Sequence, residues 1–192
     1  MKKGKLIIIS APSGCGKSTI INEIIKNRDL RLEFSISATT REPRKGEKNG
    51  VDYYFMTLDE FNKAIENDEL IEYEEVYPGR FYGTLNSEID RIREKGKNVI
   101  LDIDVMGGIN VKNKFGNDAL SIFIQPPSID TLRQRLVARG TDSPEAIKQR
   151  IDKASFELSQ ANKYDKIVVN DILDIAVKST ENIIKNFIND SH

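Results

Sequence analysis

Histidine, cysteine and tryptophan are almost missing from this sequence, and each scarcity removes a class of chemistry. Among 192 residues there is one histidine, His192, one cysteine, Cys15, and no tryptophan. A lone histidine at the last position leaves no imidazole for general acid–base work, and with one cysteine it cannot build a Cys/His zinc cluster. One cysteine also rules out an intrachain disulfide, which fits a reducing, cytoplasmic setting. An excess of one charge is missing as well. Lys+Arg number 29 and Asp+Glu 30, a formal net charge of -1, so no overall field draws the chain to nucleic acid or to a membrane surface. Any basic site has to be local. No segment approaches the ~18 apolar residues of a membrane span. The apolar stretch in "MKKGKLIIIS" is too short for a signal-peptide core and runs straight into a glycine loop. Small molecules are therefore the expected partners, without nucleic acid or membrane; monomer and homo-oligomer both stay open.

What is present is an ordinary globular composition, 39% hydrophobic and 31% charged, enough for one domain of this length. Apolar runs alternate with helical patterns, which argues for an α/β fold with a parallel sheet flanked by helices. Buried strands are expected at Leu6–Ser10, Asn98–Ile103, Ala119–Gln125 and Lys166–Val169. Helices are expected at Lys17–Lys26, Val105–Phe115, Ser128–Ala138, Ser143–Asn162 and Ile172–Ile188. "SPEA" at Ser143 supplies an N-cap followed by proline at the first helical position. The region from Phe34 to Thr84 reads differently. "FSISATT", "DYYFM" and "LIEYEEVY" look like short strands, and "TLDEFNKAIEN" opens with a Thr-x-x-Glu capping box. It reads as a small mixed α+β insertion at about 34–84 on a core formed by 1–33 and 85–192.

"SAPSGCGKST", Ser10 to Thr19, nearly spells a phosphate-binding loop, with Ala11 where the usual first glycine stands. Gly14 and Gly16 permit conformations that turn successive N–H groups inward as a nest for anionic oxygens. The helix that follows adds its positive end. The segment Ala11, Pro12, Ser13, Gly14, Cys15, Gly16, Lys17, Ser18 and Thr19 is the candidate ATP-phosphate site, with Lys17 reaching the β- and γ-phosphates and the Ser18 hydroxyl suited to Mg²⁺. A ligand-free glycine turn is the bland alternative, and Gly-x-Gly-Lys-Ser-Thr directly after a buried strand disfavours it. Cys15 reads as a tolerated small residue, or else as an oxidation-sensitive thiol beside the electropositive nest.

"TTREPRKGEKNGVDYYF" places Arg41 and Arg44 three apart, with Tyr53 nine residues beyond Arg44. Two guanidiniums and a phenol suit a second phosphate; by itself the stretch reads equally as a solvated mixed-charge loop. "VILDID" is a buried strand ending in Asp102 and Asp104, at the carboxyl end where α/β sheets bind ligands. Asp102 is a candidate to orient Mg²⁺ or its waters. Asp104 either supports the acceptor pocket or caps the next helix.

Together "SAPSGCGKST", "SISATTREPRKGEKNGVDYYF", "LIEYEEVYPGRFYGT", "VILDIDVMGG", "LRQRLVARGT" and "IVVND" resemble the guanylate kinase family, bacterial type, over essentially the whole chain. The resemblance implies a P-loop NTPase fold and transfer of the γ-phosphoryl group of ATP to GMP, and to dGMP beside it, with Mg²⁺. It implies that Arg41, Arg44, Tyr53 and Tyr82 hold the GMP phosphate, and that Ser37 and Glu72 read the base, with Thr84 adding a hydroxyl. It singles out Lys17, Arg41, Arg139 and Arg150 for the transfer, Arg135 beside them, a helical lid at about 138–148, and Asn170 near the adenine. Met106 departs from it, since many relatives carry glutamine there.

Guanine presents adjacent N1–H and N2–H donors that one carboxylate accepts together, whereas adenine sets a bare acceptor against it. The acceptor phosphate has a second pKa near ~6, so no base has to deprotonate it and the missing histidine costs nothing. Two other readings compete: a non-catalytic guanylate-kinase-like interaction module, which typically lacks the phosphate loop, and another phosphate-loop kinase or switch GTPase. A transfer site must also exclude water, so the 34–84 insertion and the lid are expected to close over both substrates. Small-angle scattering with GMP plus a non-hydrolysable ATP analogue is expected to show a smaller radius of gyration than the free chain; an unchanged value counts against closure.

Overall fold

A computed structural model describes residues 3–140 and 142–190. Thr141 of the expected lid and His192 lie outside the described residues. The chain opens with β1 (Leu6–Ser10), the phosphate loop and α1 (Lys17–Ile24). There follow β2 (Leu32–Phe34), β3 (Ala38–Thr39), β4 (Tyr54–Phe55), α2 (Leu58–Glu66), β5 (Leu70–Tyr77), β6 (Arg80–Leu85) and α3 (Asn86–Glu94). The remainder is β7 (Asn98–Asp102), α4 (Val105–Phe115), β8 (Ala119–Gln125), α5 (Ile129–Arg139), α6 (Pro144–Ser159), β9 (Lys166–Val169) and α7 (Leu173–Asn189). Five strands make one sheet in the order β2-β7-β1-β8-β9, and four make a second in the order β4-β3-β6-β5. No described helix is long and apolar enough to cross a membrane.

Contacts cluster into two units, Met1–Lys5 with Glu33–Ile100, and Leu6–Leu32 with Leu101–His192. In the second unit β1 pairs in parallel with β8, Leu6 opposite Ala119, and β8 pairs in parallel with β9. Leu6, Ile7, Ile8 and Ile9 are all fully buried, as a strand covered on both faces requires. Ile20, Ile21 and Ile24 bury one side of α1. Val105, Ile109, Phe123, Ala161 and Tyr164 form a cluster beneath α4. Each aliphatic side chain buried this way contributes about 1.5–3 kcal/mol.

The first unit is smaller and mixed. β3 runs parallel to β4 and antiparallel to β6, which is antiparallel to β5. Phe61 and Ala64 of α2 pack with Ala38 and Leu70, and the Phe61 ring stacks on Phe81 at 5.3 Å. The capping box of α2 is complete: Thr57 Oγ1 accepts from Glu60 N–H, and Glu60 Oε2 accepts from Thr57 N–H at 2.7 Å.

Several elements differ from the sequence expectation, each for a local reason. α1 stops at Ile24 because its last N–H groups shorten to three-residue bonds, Lys26 to Glu23 and Asn27 to Ile24. β7 stops at Asp102 rather than Ile103, whose carbonyl is taken by Lys17 Nζ. Asp102 and Asp104 are therefore not two residues of one strand. α6 ends at Ser159, whose hydroxyl donates to Phe156 O at 2.6 Å, a local bond that competes with the helix ladder. "FSISATT" gives two short pieces, β2 and β3, instead of one strand. α3 has no counterpart among the expected elements. Only Ile89 and Ile92 mark its apolar side, and the other buried side chain is a carboxylate, Glu88.

Glu88 is 2% exposed. It accepts from Ile36 N–H at 3.1 Å, Tyr54 Oη at 2.9 Å and Arg91 Nε at 2.8 Å. Burial pushes its pKa up, but these hydrogen bonds and the Arg91 charge outweigh it and hold the carboxyl below its ordinary value. A depressed native pKa stabilises above the unfolded value of about 4.3 and is lost as pH falls through the native value. Glu88→Gln is expected to cost about 1–3 kcal/mol at neutral pH, with the gap narrowing in urea unfolding as pH drops below about 4. A gap independent of pH would remove the carboxylate's charge from the account.

Candidate active site

In the second unit the phosphate loop, α5 and α6 enclose a cleft of about 680 Å³. Its lining contains Ala11 to Thr19, Asp102, Arg135, Arg139 and Arg150, so these expected donor-side residues share one space. It also contains Asp104, which was expected to support the acceptor pocket or to cap a helix. The loop takes its shape from two glycines. Gly14 has φ 90° and Gly16 φ 83°, in the left-handed region, and a Cβ on Gly14 would lie 2.9 Å from Leu136 Cδ2. Cys15 N–H closes the turn on Pro12 O at 3.2 Å. Gly16 is also the N-cap of α1 and supplies no side-chain cap, so the first N–H groups of the helix are left for an anion.

Lys17 Nζ forms an ion pair with Asp102 and donates to Ile103 O at 3.2 Å. The Lys17 and Asp102 side chains are 20% and 23% exposed. Ser18 and Thr19 are exposed at the mouth of the loop. Asp104 caps α4: its Oδ1 accepts from Met106 N–H at 2.8 Å and Gly107 N–H at 3.0 Å. Of the two readings left open for Asp104, helix capping is thus realised, and it occupies one carboxylate oxygen. Arg150 pairs with Asp142 at 3.3 Å, and Arg139 ends α5 before Gly140. Asn170 is buried, and its amide donates to Cys15 O at 2.8 Å. The resemblance implied a place near the adenine; here one N–H of the amide is engaged by the loop. Cys15 itself is 1% exposed. Burial, with Glu157 adding to it, pushes its thiol up to about 12 against the lowering effects of Arg135 and Lys17. Of its two readings, the oxidation-sensitive thiol loses its thiolate.

The first unit holds the second constellation. Both terminal nitrogens of Arg41 reach Glu47 at 3.0 Å, and its guanidinium lies 5.2 Å from the Tyr53 ring centre and 5.7 Å from that of Phe55. Glu47 also accepts from Arg44 N–H at 2.7 Å. Tyr53 meets Tyr82 edge-on at 6.0 Å, and Tyr82 hydrogen-bonds Arg41. Arg41 is driven upward in pKa mainly by Glu47, and Glu47 downward mainly by Arg41. Arg41, Tyr53 and Tyr82 are brought together; Arg44 joins through its backbone, with its side chain exposed. Glu72 and Thr84 face each other across β5 and β6, and Thr84 Oγ1 donates to Glu72 Oε1 at 2.7 Å. Ser37 lies just before β3, its carbonyl accepting from Tyr54 N–H at 2.9 Å.

Sequence reasoning missed Glu47, hidden among interleaved charges, although its spacing of three from Arg44 suits a turn. It also missed Lys153 and Glu157, which line the donor cleft. Their positions at i+3 and i+7 from Arg150 put all three on one face of α6.

A family model described as guanylate kinase matches residues 3–187. The chain belongs to the guanylate kinase family. A guanylate kinase of Bacteroides thetaiotaomicron is 55% identical over 186 residues, 97% of this chain and 91% of the relative. One of Porphyromonas gingivalis is 54% identical, covering 96% of this chain and 98% of the relative. The crystal structure of guanylate kinase from Anaplasma phagocytophilum is 31% identical, with a TM-score of 0.75, covering 100% of this chain and 89% of that one. The parallel sheet flanked by helices is accordingly the P-loop NTPase fold of guanylate kinases.

A thiol with a pKa of about 12 is almost wholly protonated at pH 8. Cys15 is expected to react with iodoacetamide far more slowly than a free thiol of pKa near 8.5, with a rate that still climbs at pH 10. Rapid labelling of the folded protein at pH 7 would contradict the buried, neutral thiol.

Proposed function

We propose that the chain is an ATP:GMP phosphotransferase, converting ATP and GMP to ADP and GDP, with dGMP as a second acceptor. The observation that carries this is the presence of two anion-binding constellations in one chain, built differently. A hydrolase or switch needs only the glycine loop. A second guanidinium site, in a unit that also presents a carboxylate suited to guanine, supplies an acceptor.

In this reading the loop N–H groups, Lys17 and the cleft arginines Arg139 and Arg150, with Arg135 beside them, hold and neutralise the donor phosphates. Arg41, Arg44, Tyr53 and Tyr82 hold the phosphate of GMP. Glu72, steadied by the Thr84 hydroxyl, accepts from guanine N1–H and N2–H, with Ser37 beside it. Transfer then needs position and charge neutralisation rather than proton abstraction. Ser18 and Asp102 line the same cleft and give a hydroxyl and a carboxylate, which fits Mg²⁺, an ion that takes one or two protein oxygens and completes its shell with phosphate and water. Bound there, Mg²⁺ would neutralise charge on the phosphate oxygens. Asp104, one oxygen engaged by the Met106 and Gly107 N–H groups, fixes the start of α4 at the edge of this cleft. Purine nucleotide recycling in the cytoplasm is the setting this reaction implies.

A coupled ADP-release assay with ATP and GMP, AMP, UMP or dTMP tests the assignment, and turnover with AMP but not GMP would sink it. Glu72→Gln is expected to lower kcat/KM for GMP by about 10²-fold while raising it little for AMP. Lys17→Ala is expected to lower kcat by about 10²–10³ without moving the thermal midpoint by more than a few degrees.

A further inference from the structure

We infer that Asn170 is a positioning residue of the donor site: its side-chain amide sets the orientation of the Cys15–Gly16 peptide, and so acts on the donor's phosphates whatever base they carry. This rests on the donor reading of the glycine loop proposed above. Asn170 directly follows β9 and is 6% exposed. Its backbone N–H donates to Gln125 O at 2.8 Å, its carbonyl accepts from Arg135 Nη2 at 2.9 Å, and its Nδ2 donates to Cys15 O at 2.8 Å. One N–H of the side-chain amide, the backbone N–H and the backbone carbonyl are thus all engaged within the protein.

The consequence follows from peptide geometry. The carbonyl and N–H of a trans peptide point in opposite directions. Pinning Cys15 O toward Asn170 turns Gly16 N–H to the other side of the same plane. Asn170 stands outside the lining of the cleft, whereas Cys15, Gly16 and Lys17 belong to it, so the N–H is turned toward the phosphates. A peptide carbonyl turned the other way would present a partial negative charge to an anion. Left to solvent, this peptide has little else to orient it, because both residues flanking Cys15 are glycines with positive φ and glycine readily changes φ.

The fit leaves no slack. A Cβ on Gly16 would come within 2.5 Å of Asn170 Nδ2, so the amide fills the space that glycine vacates. Through its carbonyl the same residue holds Arg135, which reaches the cleft from α5. One buried asparagine thus orients a backbone donor and restrains a guanidinium of the same anion site.

Asn170→Asp separates this role from an adenine contact. It keeps the shape and an oxygen acceptor, but sets an oxygen against Cys15 O in place of the NH₂. Asn170→Ala removes the donor without adding repulsion and covers the case in which the aspartate variant fails to fold. Calorimetry with ATP and with inorganic tripolyphosphate, together with steady-state KM for ATP and GMP, is the test. Expected is an affinity loss of about tenfold or more for ATP and tripolyphosphate by the same factor, a matching rise in KM for ATP, and KM for GMP within about twofold of wild type. A loss confined to ATP, or equal rises in both KM values, overturns the inference. Absence of GMP turnover by the wild type would refute the proposed function instead, and tripolyphosphate binding would still decide the role of Asn170.

Discussion

The proposed donor half of this molecule depends on presenting a short row of backbone N–H groups to an anion. Hydrogen bonds left unmade are costly in a folded protein, so the surroundings must both forbid self-satisfaction and keep the groups accessible to an anion. Two left-handed glycines bend the chain, a fully buried strand delivers it, and α1 takes over with no capping side chain. Leu132 and Leu136 press against Gly14 from one side and Asn170 against Gly16 from the other. A methyl group at either glycine would force one of these side chains to shift, and would add the strain of a positive φ.

The two proposed anion sites meet their charge problem by different means. The glycine loop offers partial charges of the backbone plus one ammonium, itself held by Asp102. The arginine loop offers a full guanidinium stacked near two rings and held by Glu47 on both terminal nitrogens. Each cation therefore has an anionic companion in its own unit. That arrangement gives each long side chain a partner within its own unit, so a chain with almost no net charge can offer the two proposed sites for highly charged nucleotides.

The parallel strands were the most legible part of the sequence. Leu6–Ser10, Ala119–Gln125 and Lys166–Val169 stand where their apolar runs put them. The first two are buried along nearly their whole length, whereas β9, expected to be a buried strand, buries only Val168 and leaves Ile167 and Val169 exposed. The capping box of α2 and the Ser143–Pro144 start of α6 marked helix starts equally well. Helix ends were less legible, since they were decided by single serine hydroxyls and by shortened bonds in the last turn. α3 was illegible for another reason. Its inward face includes Glu88, and a charged residue in the sequence does not announce that it is buried with three donors around it. In the site, the residue types pointed to phosphate chemistry, but the partners of Arg41 and Asn170 could not be read, because Glu47 sits in a run of mixed charge and Cys15 O is a backbone atom with no letter in the sequence.

The bidentate pairing of Arg41 with Glu47 bears on which solutes can linger in the acceptor unit. A guanidinium already matched to a carboxylate of its own chain is indifferent to the dilute monoanions around it. Only a ligand bringing a denser charge, together with a second foothold such as a base edge, can repay the rearrangement. Selectivity at such a surface begins with what it ignores.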